Sequence, residues 1–333
     1  MSASRFPGVP SSDRLLTQPE PLLGPGEGLG NRRPTIDGSM TWLQDACIAR
    51  DIDIGALRMM YRRSFIGLIA GAVVVGATRG SNARSDRIGD IGVQLYTLRH
   101  EMQRDFEGTL ARIAEIGYRE VEFIELFGRA PRAARAMLDR HGLVAPSSHV
   151  GYDALGDRWP EILDNATILG QRFIVCPWID AELRRKPDVW KHAAERFNRA
   201  AEASKKLGIQ FAYHNHDFEF TPLNGRLPYH ILLAETDPEL VKMEMDLYWI
   251  TKGGQDPVEY FDRHPGRFPL VHVKDMDQNG EIADVGSGTI DFARIFARSE
   301  TAGIRHFFVE HDNSSAPVES IAASYRFAQE SAG

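Results

Sequence analysis

From residue 91 onward, short apolar runs alternate with longer amphipathic ones. The short runs are IGVQLY (91–96), EVEF (120–123), VAPSSH (144–149), RFIVCP (172–177), QFAYH (210–214), VKMEMD (241–246), LVHVK (270–274) and HFFVE (306–310). Between them, stretches such as FEGTLARIAEIG, ARAMLDRHG and WKHAAERFNRAAEASKKLG place apolar residues at helical spacing. Gly117, Gly142, Gly170, Gly208 and Gly303 close several of these stretches just ahead of the next short run. That is the chemistry of a left-handed helix stop leading into a strand. Eight strand–helix alternations predict a (β/α)8 TIM barrel over residues 88–330. The rival, a doubly wound open sheet, would carry a glycine-rich phosphate fingerprint after its first strand, and none follows IGVQLY.

In such a barrel the C-terminal strand ends meet at one mouth. Glu122, His149, His214, His216, Glu219, Asp246, His272, Lys274 and Glu310 fall at or just past those ends. Side chains of this kind are costly to bury without partners, so their recurrence from strand to strand points to a site. A mixed oxygen and nitrogen set suits Mn²⁺, Mg²⁺, Co²⁺ or Zn²⁺, and the lack of thiolates disfavours a structural zinc site. Asp246, His272 and Glu310 each end their own strand and form the candidate ligand set, completed from the fifth strand by His214 or Glu219. Glu122, His149, His214, His216 and Lys274 are candidates for proton transfer. The segment GSGTIDF (286–292) is read as a mouth loop rather than a phosphate cradle.

The segments GVQLYTLR, SSHVG, YHNHDFEF, MEMDLYWI, HVKDM and VEHD resemble, in order and spacing, the sugar phosphate isomerase/epimerase proteins of the xylose isomerase-like barrel superfamily. The resemblance spans residues 91–329. It implies a metal-dependent barrel with Glu, Asp, His and Glu ligands on strands five to eight, the last three falling on Asp246, His272 and Glu310. Many relatives carry Glu-Asn-His at the fifth strand, where this chain has His214-Asn215-His216. Either His214 takes the ligand place or Glu219 swings in; Glu219 is favoured because it keeps three carboxylates around a divalent charge. The resemblance further implies proton abstraction beside a ketone through an enediolate, which leads to isomerisation, epimerisation or elimination. The leading expectation is an isomerase or epimerase acting on a keto-sugar or keto-glycoside. The alternative is a lyase, a dehydratase or 3-keto-glycoside eliminase; a non-catalytic sugar-binding barrel and an endonuclease rank below it. Tyr96, Trp178, Tyr248 and Trp249 either stack on sugar faces or close the rim.

The region ahead of the barrel has a different composition. Residues 1–58 are rich in Gly and Pro without an apolar period and are expected to be disordered. Residues 59–83 read as an export signal, with Arg62-Arg63, an apolar run over 65–77 and a small-residue end at Ser81-Asn82-Ala83. An apolar helix of that length rises about 20 Å, short of the roughly 30 Å of a membrane interior. The Arg-Arg-x-Phe pattern resembles a twin-arginine signal, which implies transient contact with export machinery, a periplasmic or otherwise exported protein, and translation from Met59 or Met60. An exported enzyme meets unphosphorylated sugars. The chain of 333 residues carries a net charge of −7, which argues against a nucleic-acid partner. Without residues 1–83 the net charge is −9 and Cys176 is the one cysteine, so no internal disulfide is expected.

Overall fold

A computed structural model of the chain describes residues 91–186 and 188–331. The expected disordered segment, export signal and start site all lie outside the described residues. The strands are β1 (Ile91–Gln94), β2 (Glu120–Phe123), β3 (Val144–His149), β4 (Phe173–Cys176), β5 (Gln210–His214), β6 (Val241–Asp246) and β7 (Leu270–Val273), then a hairpin of β8 (Asp275–Met276) and β9 (Ile282–Ala283), and finally β10 (His306–Val309). Each of the eight expected strands is present to within two residues at either end. The hairpin was not anticipated. Eight strands close in the order β1-β10-β7-β6-β5-β4-β3-β2. Neighbours run parallel throughout, with Ile91 opposite Phe307 and Gly92 opposite Glu120 at the closure. With helices between successive strands, this is the (β/α)8 barrel.

The helices cover the outside because their apolar residues recur every three to four positions. Along Val189–Lys205, Trp190, Ala193, Ala194, Phe197, Ala200, Ala201 and Ser204 are buried. Phe197 lies 5.3 Å from the Phe211 ring and 5.2 Å from that of Tyr213, both on β5. The five glycines read as helix stops all have positive φ; Gly170, at φ 77°, caps Trp159–Leu169 in the left-handed conformation that a side chain would strain.

Strand residues alternate between two faces. Phe211, Tyr213, Val271, Val273, Phe307 and Val309 join the large core beneath the helices. Their neighbours of opposite parity, Phe173, Val175, Ala212, Leu270 and Phe308, form a separate buried apolar cluster inside the barrel. Two residues further along the same strands, on that inner face, stand His214, His272 and Glu310. The barrel is thus plugged with apolar side chains below and lined with ionisable ones above. Among the described residues no helix is long and apolar enough to cross a membrane, and Cys176 is a buried free thiol.

Candidate metal centre and cavity

Strand register assembles the polar layer: His214 pairs with Glu244 across β5 and β6, and Asp246 with His272 across β6 and β7. The Asp246, His272 and Glu310 ligand atoms lie within 4.8 Å of one another. His272 Nδ1 is 2.9 Å from Glu310 Oε2 and 3.8 Å from Asp246 Oδ2. The ammonium of Lys274 sits among these acids, 3.0 Å from Asp246 Oδ2, 2.8 Å from Glu310 Oε2 and 2.8 Å from Asp312 Oδ1. A second group, His149, His214, Glu244 and His272, meets the same 4.8 Å limit. There His149 Nε2 is 2.7 Å from Glu244 Oε2, and His272 Nε2 is 2.8 Å from Glu122 Oε2. Gln94 Nε2 donates to Glu122 at 2.7 Å, and Ser147 Oγ donates to its other oxygen.

Burial and neighbouring charge set the protonation states. Burial alone would raise Glu122, but His149 and His272 hold it well below the usual carboxylate range. Burial works against a charged His149, yet Glu122 and Glu244 raise it to about 9. Burial raises Asp246 to about 6, with Lys274 and His272 opposing. Burial also works against the Lys274 ammonium, but Asp246, Glu310 and Asp312 lift it well above its ordinary value. His214 is pushed well below its ordinary value by burial and by His272, and His216 falls to about 3 through burial and Lys274.

The residue types present fit a divalent ion. Carboxylates and imidazoles on separate strands form a mixed set with no thiolate, as first-row divalent ions accept. The Lys274 ammonium between Asp246 and Glu310 shows that this pair accommodates positive charge. His214 Nδ1 and Glu244 Oε1 are buried without hydrogen-bond partners, a state that costs roughly 1–3 kcal/mol per group unless something satisfies it.

A cavity of about 520 Å³ opens above, walled in part by His149, His214, His216, Lys274, Glu310 and Asp312. Tyr96 (39% exposed) and Trp178 (50%) also line it. Of the nine expected site residues, the structure gathers Glu122, His149, His214, Asp246, His272, Lys274 and Glu310, with the His216 ring 4.9 Å from that of His214. Glu219 stands apart from both ligand groups. Its short helical turn, Phe218–Phe220, directs the carboxylate to the Tyr213 hydroxyl and, at 2.8 Å, to the His216 backbone N–H. Glu122 is fully buried and does not line the cavity, so it meets no substrate there.

Glu244 escaped the sequence reading, although it shares the inward parity of Asp246 two residues on. Asp312, legible as a polar residue past the last strand but given no role there, holds Lys274 with its carboxylate. The loop containing GSGTIDF turns its N–H groups inward: Asp275 accepts from Gly286 and Gly288 at 2.9 Å and from Ile290 at 3.1 Å. Those donors are already satisfied by the chain's own carboxylate, as a mouth loop requires and a phosphate cradle does not.

The profile of one protein family, described as xylose isomerase-like TIM barrel, matches residues 110–330. The chain belongs to that family. It is 28% identical to an inosose dehydratase of Geobacillus kaustophilus (strain HTA426) over 233 residues, 57% of this chain and 74% of that protein. A sugar phosphate isomerase/epimerase structure from Parabacteroides distasonis ATCC 8503 is 30% identical, with a TM-score of 0.64 over 74% of this chain and 95% of its own. A structure of the IOLI protein with a binding zinc atom, 13% identical, superposes with a TM-score of 0.60 over 73% of this chain and 98% of its own, a likeness of fold alone. A buried ligand-type cluster that meets an open cavity through His149, His214 and Glu310, in a chain of this family, makes the protein an enzyme.

Proposed function

We propose that this chain is a divalent-metal-dependent carbon–oxygen lyase that removes water from a keto-cyclitol or keto-sugar. The observation that carries the reading is the meeting of Asp246, His272 and Glu310 in one buried cluster that reaches the cavity through Glu310. The likeness to an inosose dehydratase over three quarters of that protein's length favours dehydration over the isomerase or epimerase reading that leads from sequence alone. Isomerisation or epimerisation of the same substrate class stays as the second reading, favoured by the Parabacteroides relative.

Asp246, His272 and Glu310 would hold the ion. Once bound, it supplies positive charge to a substrate carbonyl oxygen and so acidifies the neighbouring C–H. The chain supplies the proton transfers. The His216 ring lines the cavity and is kept neutral by burial and by Lys274, so it is the chain's candidate to take the α-proton. The electron pair of that C–H bond becomes the new C=C bond as the β-carbon–oxygen bond breaks. A proton from His149 or Lys274, both lining the cavity, lets the hydroxyl depart as water. Among the described residues, Lys274 is the one lysine or arginine in the cavity wall, and three carboxylates already occupy its ammonium. A phosphate would find no free lysine or arginine among the described residues there, which supports an unphosphorylated substrate. Tyr96 and Trp178 offer apolar faces for a sugar ring at the rim.

The test uses protein stripped of metal, reloaded with Mn²⁺, Co²⁺ or Zn²⁺, and given inosose or 3-keto-glycosides. A metal-dependent product one water lighter by mass is expected. Products of unchanged mass that differ only in configuration or carbonyl position would replace the lyase with the second reading.

A further inference from the structure

His214 and His272 each present their two ring nitrogens to different surroundings. His272 turns Nδ1 toward Glu310 and Asp246, and Nε2 toward Glu122 at 2.8 Å and Glu244 at 3.3 Å. His214 turns Nε2 toward Asp246 Oδ2 at 3.9 Å and Nδ1 toward Glu244 Oε2 at 3.5 Å. His272 therefore stands between Asp246 and Glu310 on one side and Glu122 and Glu244 on the other, and His214 stands between Asp246 and Glu244, just outside the 4.8 Å group of Asp246, His272 and Glu310. Glu122 and Glu244 are fully buried and line no part of the cavity, so neither serves as a substrate contact there.

An imidazole binds a metal through one nitrogen and carries its proton on the other; an acceptor behind the ring fixes both the tautomer and the orientation. The rear carboxylates are themselves anchored, Glu122 by Gln94 and Ser147, and Glu244 by His149. His214 Nδ1 and Glu244 Oε1 have no hydrogen-bond partner although both are buried. The 3.5 Å between His214 Nδ1 and the other Glu244 oxygen is just beyond a good hydrogen bond. A proton fixed on Nδ1, with Nε2 engaged by a cation, would draw the pair together.

We propose that His214 is the fourth protein ligand, through Nε2, beside Asp246, His272 Nδ1 and Glu310. Glu244 and Glu122 are positioning residues that hold the far N–H of His214 and His272. This rests on the metal reading above and deepens it. Two nitrogens and two carboxylates, with further carboxylates behind the rings, suit zinc- or cobalt-type ions better than an all-oxygen magnesium site would.

The experiment is proton NMR of the full protein loaded with Co²⁺, in which the N–H of each coordinated imidazole is shifted far outside the ordinary range and vanishes in D₂O. Two such signals are expected, and His214→Gln leaves one. Glu244→Gln keeps both rings but lowers Co²⁺ affinity by about ten- to a hundred-fold, read by competition with a chromophoric chelator. One exchangeable signal from the loaded, unaltered protein would overturn the assignment of His214 while sparing the metal reading. Unchanged affinity in Glu244→Gln would overturn the role of Glu244. Failure of the unaltered protein to bind Co²⁺, Zn²⁺ or Mn²⁺ would overturn this inference together with the metal reading. Because the signal count needs no variant, misfolding of either substituted protein leaves the ligand assignment testable.

Discussion

Replacing Lys274 with methionine isolates the electrostatics of the site. Methionine keeps most of the volume and removes the charge. Lys274 is 1% exposed, and its ammonium is within 3.0 Å of Asp246 and 2.8 Å of both Glu310 and Asp312. Removing one partner of a buried ion pair costs ~3–5 kcal/mol. The loss is not three times that, because burial already raises Asp246 to about 6 and also raises Asp312. Both acids can take up protons once the ammonium is gone. Lys274 lowers Asp246, so without it that acid takes up its proton above 6, and the penalty is largest at alkaline pH and shrinks as the pH falls toward ~6. A divalent ion restores positive charge at the same place. At a hundred times its dissociation constant it adds ~2.7 kcal/mol to stability, and at equal concentration the variant gains more than the unaltered protein because no ammonium competes. Urea unfolding followed by tryptophan fluorescence, at two pH values with chelator or with Mn²⁺, reads both effects. The reasoning is refuted if Lys274→Met stays within ~0.5 kcal/mol of the unaltered protein at pH ~8 in chelator, where ordinary surface changes fall. Equal stabilisation of both proteins by metal would refute it too.

Two further outcomes follow from groups outside the ligand set. Burial raises Glu219 from an ordinary 4.5 to about 8, so between those values the folded state holds a proton that the unfolded chain has released. Stability should therefore fall as pH rises through that window, and Glu219→Gln, which does not titrate, should match the unaltered protein near pH ~5 and exceed it near pH ~8.5. Thermal melts across pH check this; parallel profiles would contradict it. Asp275, 1% exposed, accepts four backbone N–H groups, from Met276, Gly286, Gly288 and Ile290. The donor residues are half-buried or exposed, so water replaces part of what is lost, and Asp275→Ala should lose ~1–3 kcal/mol and speed amide exchange over residues 286–290. Unaltered exchange there would show that the loop is held by other contacts.

The barrel was legible because its signals are local: apolar runs of strand length, amphipathic runs of helix length and glycines at the helix stops. Candidate ligands were legible by the same route, since polar residues at strand ends need only a strand boundary to be placed. What failed was depth and direction. Glu122 and Asp246 both read as mouth residues, yet neither lines the cavity, and Glu122 lies behind His272. Glu244 sits within an apolar-looking strand, and only the two-residue period of β6 aims it inward with Asp246. Charge balance favoured Glu219 as the fifth-strand ligand, but its orientation depends on a bond to Tyr213, a contact that spacing does not reveal. The reaction was the least legible, because isomerisation, epimerisation and dehydration begin with the same proton abstraction and share the same ligands.

Hydrogen exchange at the substrate carbon tests the account most directly. The protein is incubated in D₂O with a keto-cyclitol, with divalent ion or with chelator, and the recovered substrate and product are examined by mass and NMR. The account expects deuterium at the carbon beside the carbonyl only with metal present, and none with Asp246→Asn. Equal exchange in chelator, or in Asp246→Asn that has lost its metal, would contradict a cation at Asp246, His272 and Glu310 as the source of the acidity.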